Sequence, residues 1–206
     1  MIASVLCISR EQYQQIRDMN QGVFDTYTVH KLIYSLFPLE EGETRRFLFV
    51  HKGGNFSEKR ILILSHDKPL DPEYGSIESK EIPALFLEQE YYGFEVQMNP
   101  VRRDNKTGKI IPVTEKEKLL TWFTEKAPSF GFSVIPGSLS VGNTDVLQFE
   151  KEKKHVVLGK AVFTGRLHVT DQQLFVHSFE NGLGKGKAFG FGLLQVVPLD
   201  KASVDA

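Results

Sequence analysis

Four side chains in the first fifth of the chain, Tyr27, His30, Lys31 and Tyr34, have types and spacings that could do chemistry. Positions i, i+3, i+4 and i+7 share one face of a helix. A histidine, with an unperturbed pKa of about 6.5, can take or give a proton near neutral pH. A phenol or an ammonium beside it can steady charge on phosphate oxygens. The surrounding segment has the marks of the helix this requires. Asp25 or Thr26 can cap its start and Pro38 closes its end. Val29, Leu32, Ile33, Leu36 and Phe37 form an apolar stripe on the other side. The expectation is therefore a helix that buries its aliphatics and presents Tyr27, His30 and Lys31 outward on an unpacked face. From the helix pattern alone, a plain surface histidine is the simpler reading, so the face needs a second anchor.

That anchor lies near the C-terminus. Residues 182–192 contain five glycines, at 182, 184, 186, 190 and 192, with Lys185 and Lys187 among them. Such density cannot be a helix or an ordinary strand interior, because each glycine loses backbone entropy there. It suits sharp turns or close backbone approach, and exposed N–H groups beside cations could face phosphate. Two nucleotide motifs fail. No glycine triplet has the Rossmann spacing, and Lys187 is followed by Ala188 where a phosphate loop needs Ser or Thr. The loop also follows a helix-like segment and leads into a strand, the reverse of both motifs.

The loop's form is Gly-apolar-Gly, five residues, then Gly-apolar-Gly, and it resembles the glycine-rich loop of CRISPR-associated RNA-binding proteins. Gly186-Lys-Ala-Phe-Gly-Phe-Gly-Leu-Leu194 is similar to the ending of the CasE family, the CRISPR repeat-RNA endoribonucleases of type I-E Cascade systems. Tyr27-x-x-His30 resembles the pair on that family's first helix, whose histidine is essential for RNA cleavage. A third specific likeness is the strand Tyr92–Arg103 with its Asn99-Pro100 turn. Elsewhere the likeness is one of element order.

The order of elements agrees. Ile2–Ile8 reads as a strand, and Glu11–Asn20 is polar and of uncertain structure. After the helix come strands over 45–52 and 59–66, joined by a Gly53-Gly54-Asn55 turn, a Pro/Gly loop over 67–76, and a strand within 77–87. This is ferredoxin-like with a weak or absent second helix. A second unit begins near Tyr91 with a strand that ends in the basic loop of Arg102 and Arg103. Thr114-x-x-Glu117 reads as a capping box opening a helix to about Lys126. Strand-rich segments follow over 132–141 and 146–169, the latter a long hairpin turning near 150–155. Asp171 caps a last helix ending at Gly182, and the final strand is 191–199. The fold class is α+β: two tandem ferredoxin-like (βαββαβ) domains with antiparallel sheets, residues 1–88 and 89–206.

Bulk composition sets limits. With 206 residues, 41% hydrophobic and 16 Phe, the chain can bury a core. One cysteine excludes an internal disulfide and makes a structural zinc site improbable. Residues 2–8 lack a basic lead and meet Arg10-Glu11 at once, so they read as a strand and the expected location is cytoplasmic, with no membrane partner. The net charge of −1 argues against a general nucleic-acid binder. Between 151 and 187, however, seven Lys/Arg face three acids. His51 and His66, at the ends of adjacent strands, could be a metal pair, although strand-end solvation is the simpler reading. Carboxylates are scattered, and Trp122 reads as helix packing.

The resemblance implies a repeat-RNA hairpin as substrate, other Cascade subunits as partners, and no metal or cofactor. It makes His30 the acid/base residue, Tyr27 its positioning partner and Lys31 a weaker electrostatic support. It implies a basic hairpin over Lys151–Arg166 that enters the stem, with Lys151, Lys153, Lys154, Lys160 and Arg166 as contacts. Arg102, Arg103, and Lys185 and Lys187 beside Gly184 and Gly186, would add phosphate contacts. Metal-free cleavage by the RNA's own 2′-hydroxyl needs the proton transfers His30 can supply. Two other classes compete: a non-catalytic RNA-binding subunit of the same superfamily, lacking an outward histidine on the first helix, and a ligand-binding ferredoxin-like module with no RNA role.

Overall fold

The computed structural model describes residues 1–40, 42–54, 57–142, 144–151 and 154–201. In chain order the elements are β1 (Ile2–Ser9), α1 (Arg10–Met19), α2 (Thr26–Ser35), β2 (Phe47–Gly54), β3 (Glu58–Ser65) and β4 (Ser76–Glu81). Then come β5 (Tyr91–Met98), β6 (Val101–Arg103), β7 (Ile110–Pro112), α3 (Lys116–Lys126), β8 (Phe132–Val134) and β9 (Ser140–Val141). The chain closes with β10 (Asp145–Lys151), β11 (Lys154–Val169), α4 (Gln172–Asn181) and β12 (Leu194–Pro198).

Among the described residues, two larger antiparallel sheets and a small β6–β7 ribbon result. The first has the order β2-β3-β1-β4. This is the ferredoxin-like order, and residues 66–75 run from β3 to β4 without a helix, as expected. The second pairs β8 with β11, β11 with β5, and β5 with β12, giving the same order with α3 and α4 as its two helices. β11 outruns this frame at its N-terminal end, where β10 folds back on it with Lys151 opposite Lys154.

Alternation on β2 places Phe47 and Phe49 toward α1 and α2, in a core with Leu6, Ile8, Ile33, Leu36 and Ile63. Its opposite face sends Leu48 and Val50 to a second cluster with Leu64, Phe179 of α4 and Leu193. That cluster joins the two sheets. A larger core around Tyr92, Phe123, Phe132, Phe163 and Phe175 fills the second unit.

Some local expectations need correction. Residues 10–19 are helical, started by a capping box in which Ser9 Oγ accepts from Gln12 N and Gln12 Oε1 accepts from Ser9 N. Thr114 does not cap α3. Glu115 holds the cap position without a side-chain cap bond and instead accepts from Lys118 at 2.7 Å. Asp25 and Asp171 do cap α2 and α4, and Gly182 ends α4. Trp122 packs on Phe163 and donates to Val101 O at 3.1 Å.

Candidate nucleic-acid interface and cleavage site

α2 buries Thr28, Val29 and Ile33, with Leu36 and Phe37 just beyond. Its opposite face is not bare. His30 Nδ1 lies 2.8 Å from the carbonyl of Ala188, in the glycine-rich loop 158 positions later. A carbonyl only accepts, so Nδ1 carries the proton and Nε2 is the ring's basic nitrogen. The imidazole is further framed by Tyr27 (5.5 Å between centroids, stacked), Tyr34 (4.0 Å) and Phe189 (5.4 Å). The unpacked histidine face expected from periodicity is thus corrected to a half-buried one, roofed by the second unit's loop. Lys31 remains exposed; its Nζ donates to Asn20 Oδ1 at 3.0 Å and sits 5.5 Å from the Tyr27 ring.

The loop reaches α2 because β5 and β2 hold it. Gln97, buried in β5, donates through Nε2 to Gly190 O, and its own carbonyl accepts from Gly192 N. Gly192 has φ +80°, and a Cβ there would stand 2.3 Å from Leu183 O. At Gly190, φ +83°, a Cβ would press on the Phe49 ring at 3.3 Å. These glycines serve close packing against the loop's own backbone and against β2. Just before Gly190, residues 187–189 form a short 3-10 turn that rests on α2 and β2.

The expected RNA-contact residues fall into separate groups. Gly184 and Lys185 are exposed; Gly186 and Lys187 are half-buried, and Lys187 is within reach of the Arg45 charge. Arg102 and Arg103 are exposed on the β6–β7 hairpin and line a cleft of about 820 Å³ with Lys185. Lys154 sits exposed at the β10–β11 tip; Lys153 lies outside the described residues, and only the backbone of Lys151 is described. Arg166 does not belong with the tip. It lies twelve residues down β11, opposite Gly93, roughly 40 Å away at strand rise. The expected unit over Lys151–Arg166 is therefore two places, not one.

Lys160, midway along β11, is half-buried, and its charge reaches His51 of the other unit. Burial first, then the charges of Lys59 and Lys160, hold the His51 imidazole down to about 4. Its Nε2 is buried without a hydrogen-bond partner among the described residues. His66 lies at the opposite end of the β2–β3 hairpin, its N–H bonded to Arg46 O, so the two histidines do not meet. Among the described residues no group of three His, Cys, Asp or Glu side chains converges, and no helix is long and apolar enough to cross a membrane.

His51 carries a stability prediction. Its folded-state value lies below the unfolded one, so the unfolded chain binds an extra proton between about pH 6.5 and 4. Its neutral form supports the fold fully above that window, and the support is lost as pH falls through it. The loss should reach about 3 kcal/mol near pH 4. Urea midpoints measured from pH 7 to pH 4 should fall more steeply for the wild type than for His51→Gln. Parallel curves would remove His51 as the source.

Sequence reasoning missed Arg45, Gln97 and the Ala188 carbonyl. A backbone carbonyl has no residue-type signature, and Arg45 looked like any strand-entry cation.

The fold and this cross-domain histidine site define the class. The CRISPR associated protein family matches residues 3–198, and the chain belongs to that family. Within it the chain is similar to CasE-type proteins. It is 23% identical over 199 residues to the CRISPR-associated endoribonuclease Cse3 of Thermus thermophilus, covering 88% of this chain and 94% of the relative. It is 22% identical over 188 residues to the Cascade subunit CasE of Escherichia coli, covering 85% and 93%. A structure of CRISPR endoribonuclease Cse3 bound to a 19-nt RNA superposes with a TM-score of 0.82 at 22% identity, over 96% of this chain and all of that one.

Proposed function

We propose that the protein is a metal-independent endoribonuclease that cuts CRISPR precursor RNA at the base of the repeat hairpin and stays on its product as a Cascade subunit. The observation that carries this reading is the bond from His30 Nδ1 to Ala188 O. It joins the two stretches with independent chemical character, Tyr27–Pro38 and Gly182–Leu199, into one site. The names of the relatives, an endoribonuclease and a Cascade subunit, support the same reading.

With Nδ1 committed to Ala188, the proton traffic runs through Nε2. In the reaction, the 2′-oxygen bonds to the adjacent phosphorus and loses its proton while the P–O5′ bond breaks and the 5′-oxygen gains one. Nε2 takes the first proton or delivers the second, a role worth roughly 100- to 10,000-fold in rate. Tyr27 stacks on the imidazole and fixes its plane. Lys31, one turn from Tyr27, adds positive charge at the rim. Lys154, Lys160, Lys185, Arg102 and Arg103 supply phosphate contacts that position the RNA without reading it. The upstream product then ends in a 2′,3′-cyclic phosphate.

Purified protein incubated with the repeat transcript of its own genome should cut it once, at the hairpin base. Tight, salt-sensitive binding with no cut would favour the non-catalytic subunit instead. Affinity indifferent to salt and RNA would exclude both.

A further inference from the structure

Resting on that reading, we propose that Arg45 and Lys187, one from each domain, form a clamp on the non-bridging oxygens of the scissile phosphate. Arg45 enters β2 on the same strand face as Phe47 and Phe49, the face that receives α2. Its guanidinium carbon lies 5.7 Å from the Phe47 ring centroid; Phe47 meets Tyr34 edge-on at 5.0 Å, and Tyr34 lies 4.0 Å from His30. Lys187 immediately precedes Ala188, whose carbonyl holds His30. Arg45 is thus linked to the imidazole through the Phe47 and Tyr34 rings, and Lys187 through its chain neighbour Ala188.

Other cations of this region have found acids. Arg46 pairs with Asp67 at 3.4 Å, and Lys52 with Glu95. Among the described residues neither Arg45 nor Lys187 has a carboxylate partner, and Arg45 Nε is buried without a hydrogen-bond partner. Burial and the nearby Arg45 charge depress the Lys187 ammonium below its ordinary range. Two half-buried like charges without a counterion destabilise the free protein, and an anion between them relieves that cost. The phosphodiester carries one negative charge, and its five-coordinate transition state carries two. Two cations therefore match the transition state better than the ground state, which raises rate more than affinity. Lys31, engaged with Asn20 and exposed, is a poorer source of that charge.

The test uses Arg45→Gln, Lys187→Met and the conservative Arg45→Lys in single-turnover cleavage of the repeat transcript, with Kd measured on an uncleavable 2′-deoxy RNA. Gln and Met should each slow cleavage by about 100-fold or more. Kd should change less than about threefold, since many other phosphate contacts remain. Arg45→Lys should recover part of the rate. Sulfur in place of the contacted non-bridging oxygen should slow the wild type by about tenfold, the scale of one charged hydrogen bond. Both variants should have lost that sensitivity. If the wild type cuts but the variants cut within threefold of it, the clamp is wrong and the endoribonuclease reading stands. Rates that fall only in step with Kd, or a sulfur effect that persists in the variants, would also overturn it by reducing the pair to general binding or packing. A wild type that cuts nothing would instead remove the reading beneath it.

Discussion

His30→Ala should cut at no more than about one hundredth of the wild-type rate while binding the repeat RNA with nearly unchanged affinity. On the proposed mechanism the side chain does two separable things. Nε2 handles the proton, and Nδ1 ties α2 to the glycine-rich loop through Ala188. Alanine removes both, and the lost hydrogen bond is worth about 1 kcal/mol. For a chain of this length that shifts the melting midpoint by roughly 2–4 °C. The expected pattern is therefore a small thermal shift, little change in Kd and a large fall in single-turnover rate. A large thermal shift with a proportionate fall in affinity would make His30 a structural link between domains. Cleavage close to the wild type would remove it from the chemistry.

How far this site could be read from sequence depends on which residue is considered. α2 was legible because three independent signals agreed: Asp25 as cap, Pro38 as stop, and an aliphatic stripe with the helical period. α1 was less so, since its sequence is mostly polar and buries only Ile16, yet Ser9 and Gln12 did spell a capping box. Thr114 and Glu117 spelled one too, and there the backbone placed the cap a residue later, at Glu115. Local patterns with equal merit can be settled either way by tertiary packing. The ferredoxin-like order was visible in both halves, because turn residues and alternation mark the strands. That Arg166 lies far down β11 from Lys154 was implicit in a hairpin turning near 150–155, since twelve strand residues span roughly 40 Å. The meeting of His30 with Ala188 was beyond reach. It is a contact across 158 residues to a main-chain atom, and neither end advertises the other. Lys185 and Lys187 looked alike, two residues apart with one glycine between, and only the fold leaves one exposed and half-buries the other within reach of the Arg45 charge.

Replacing the ribose just upstream of the scissile phosphate with deoxyribose should abolish cleavage and leave binding intact. If His30 only moves protons, the attacking oxygen must come from the substrate, and the 2′-hydroxyl is the one group placed to reach that phosphorus. Removing it leaves every phosphate charge in place, so the contacts proposed for Lys154, Lys185, Arg102 and Arg103 would persist and Kd should hold. The same mechanism predicts that excess EDTA leaves the rate unchanged and that mass analysis of the upstream fragment finds a 2′,3′-cyclic phosphate. The competing chemistry is attack by a metal-activated water, which needs side chains to carry the ion. Such a water would cut deoxy and ribose substrates alike and would release a linear phosphate. It would also stop in EDTA. If the deoxy substrate were cut, or the upstream fragment ended in a linear phosphate from the first turnover, the nucleophile would be water. His30, held by Ala188 beside Tyr27 and Tyr34, would then act on a different proton from the 2′-hydroxyl's.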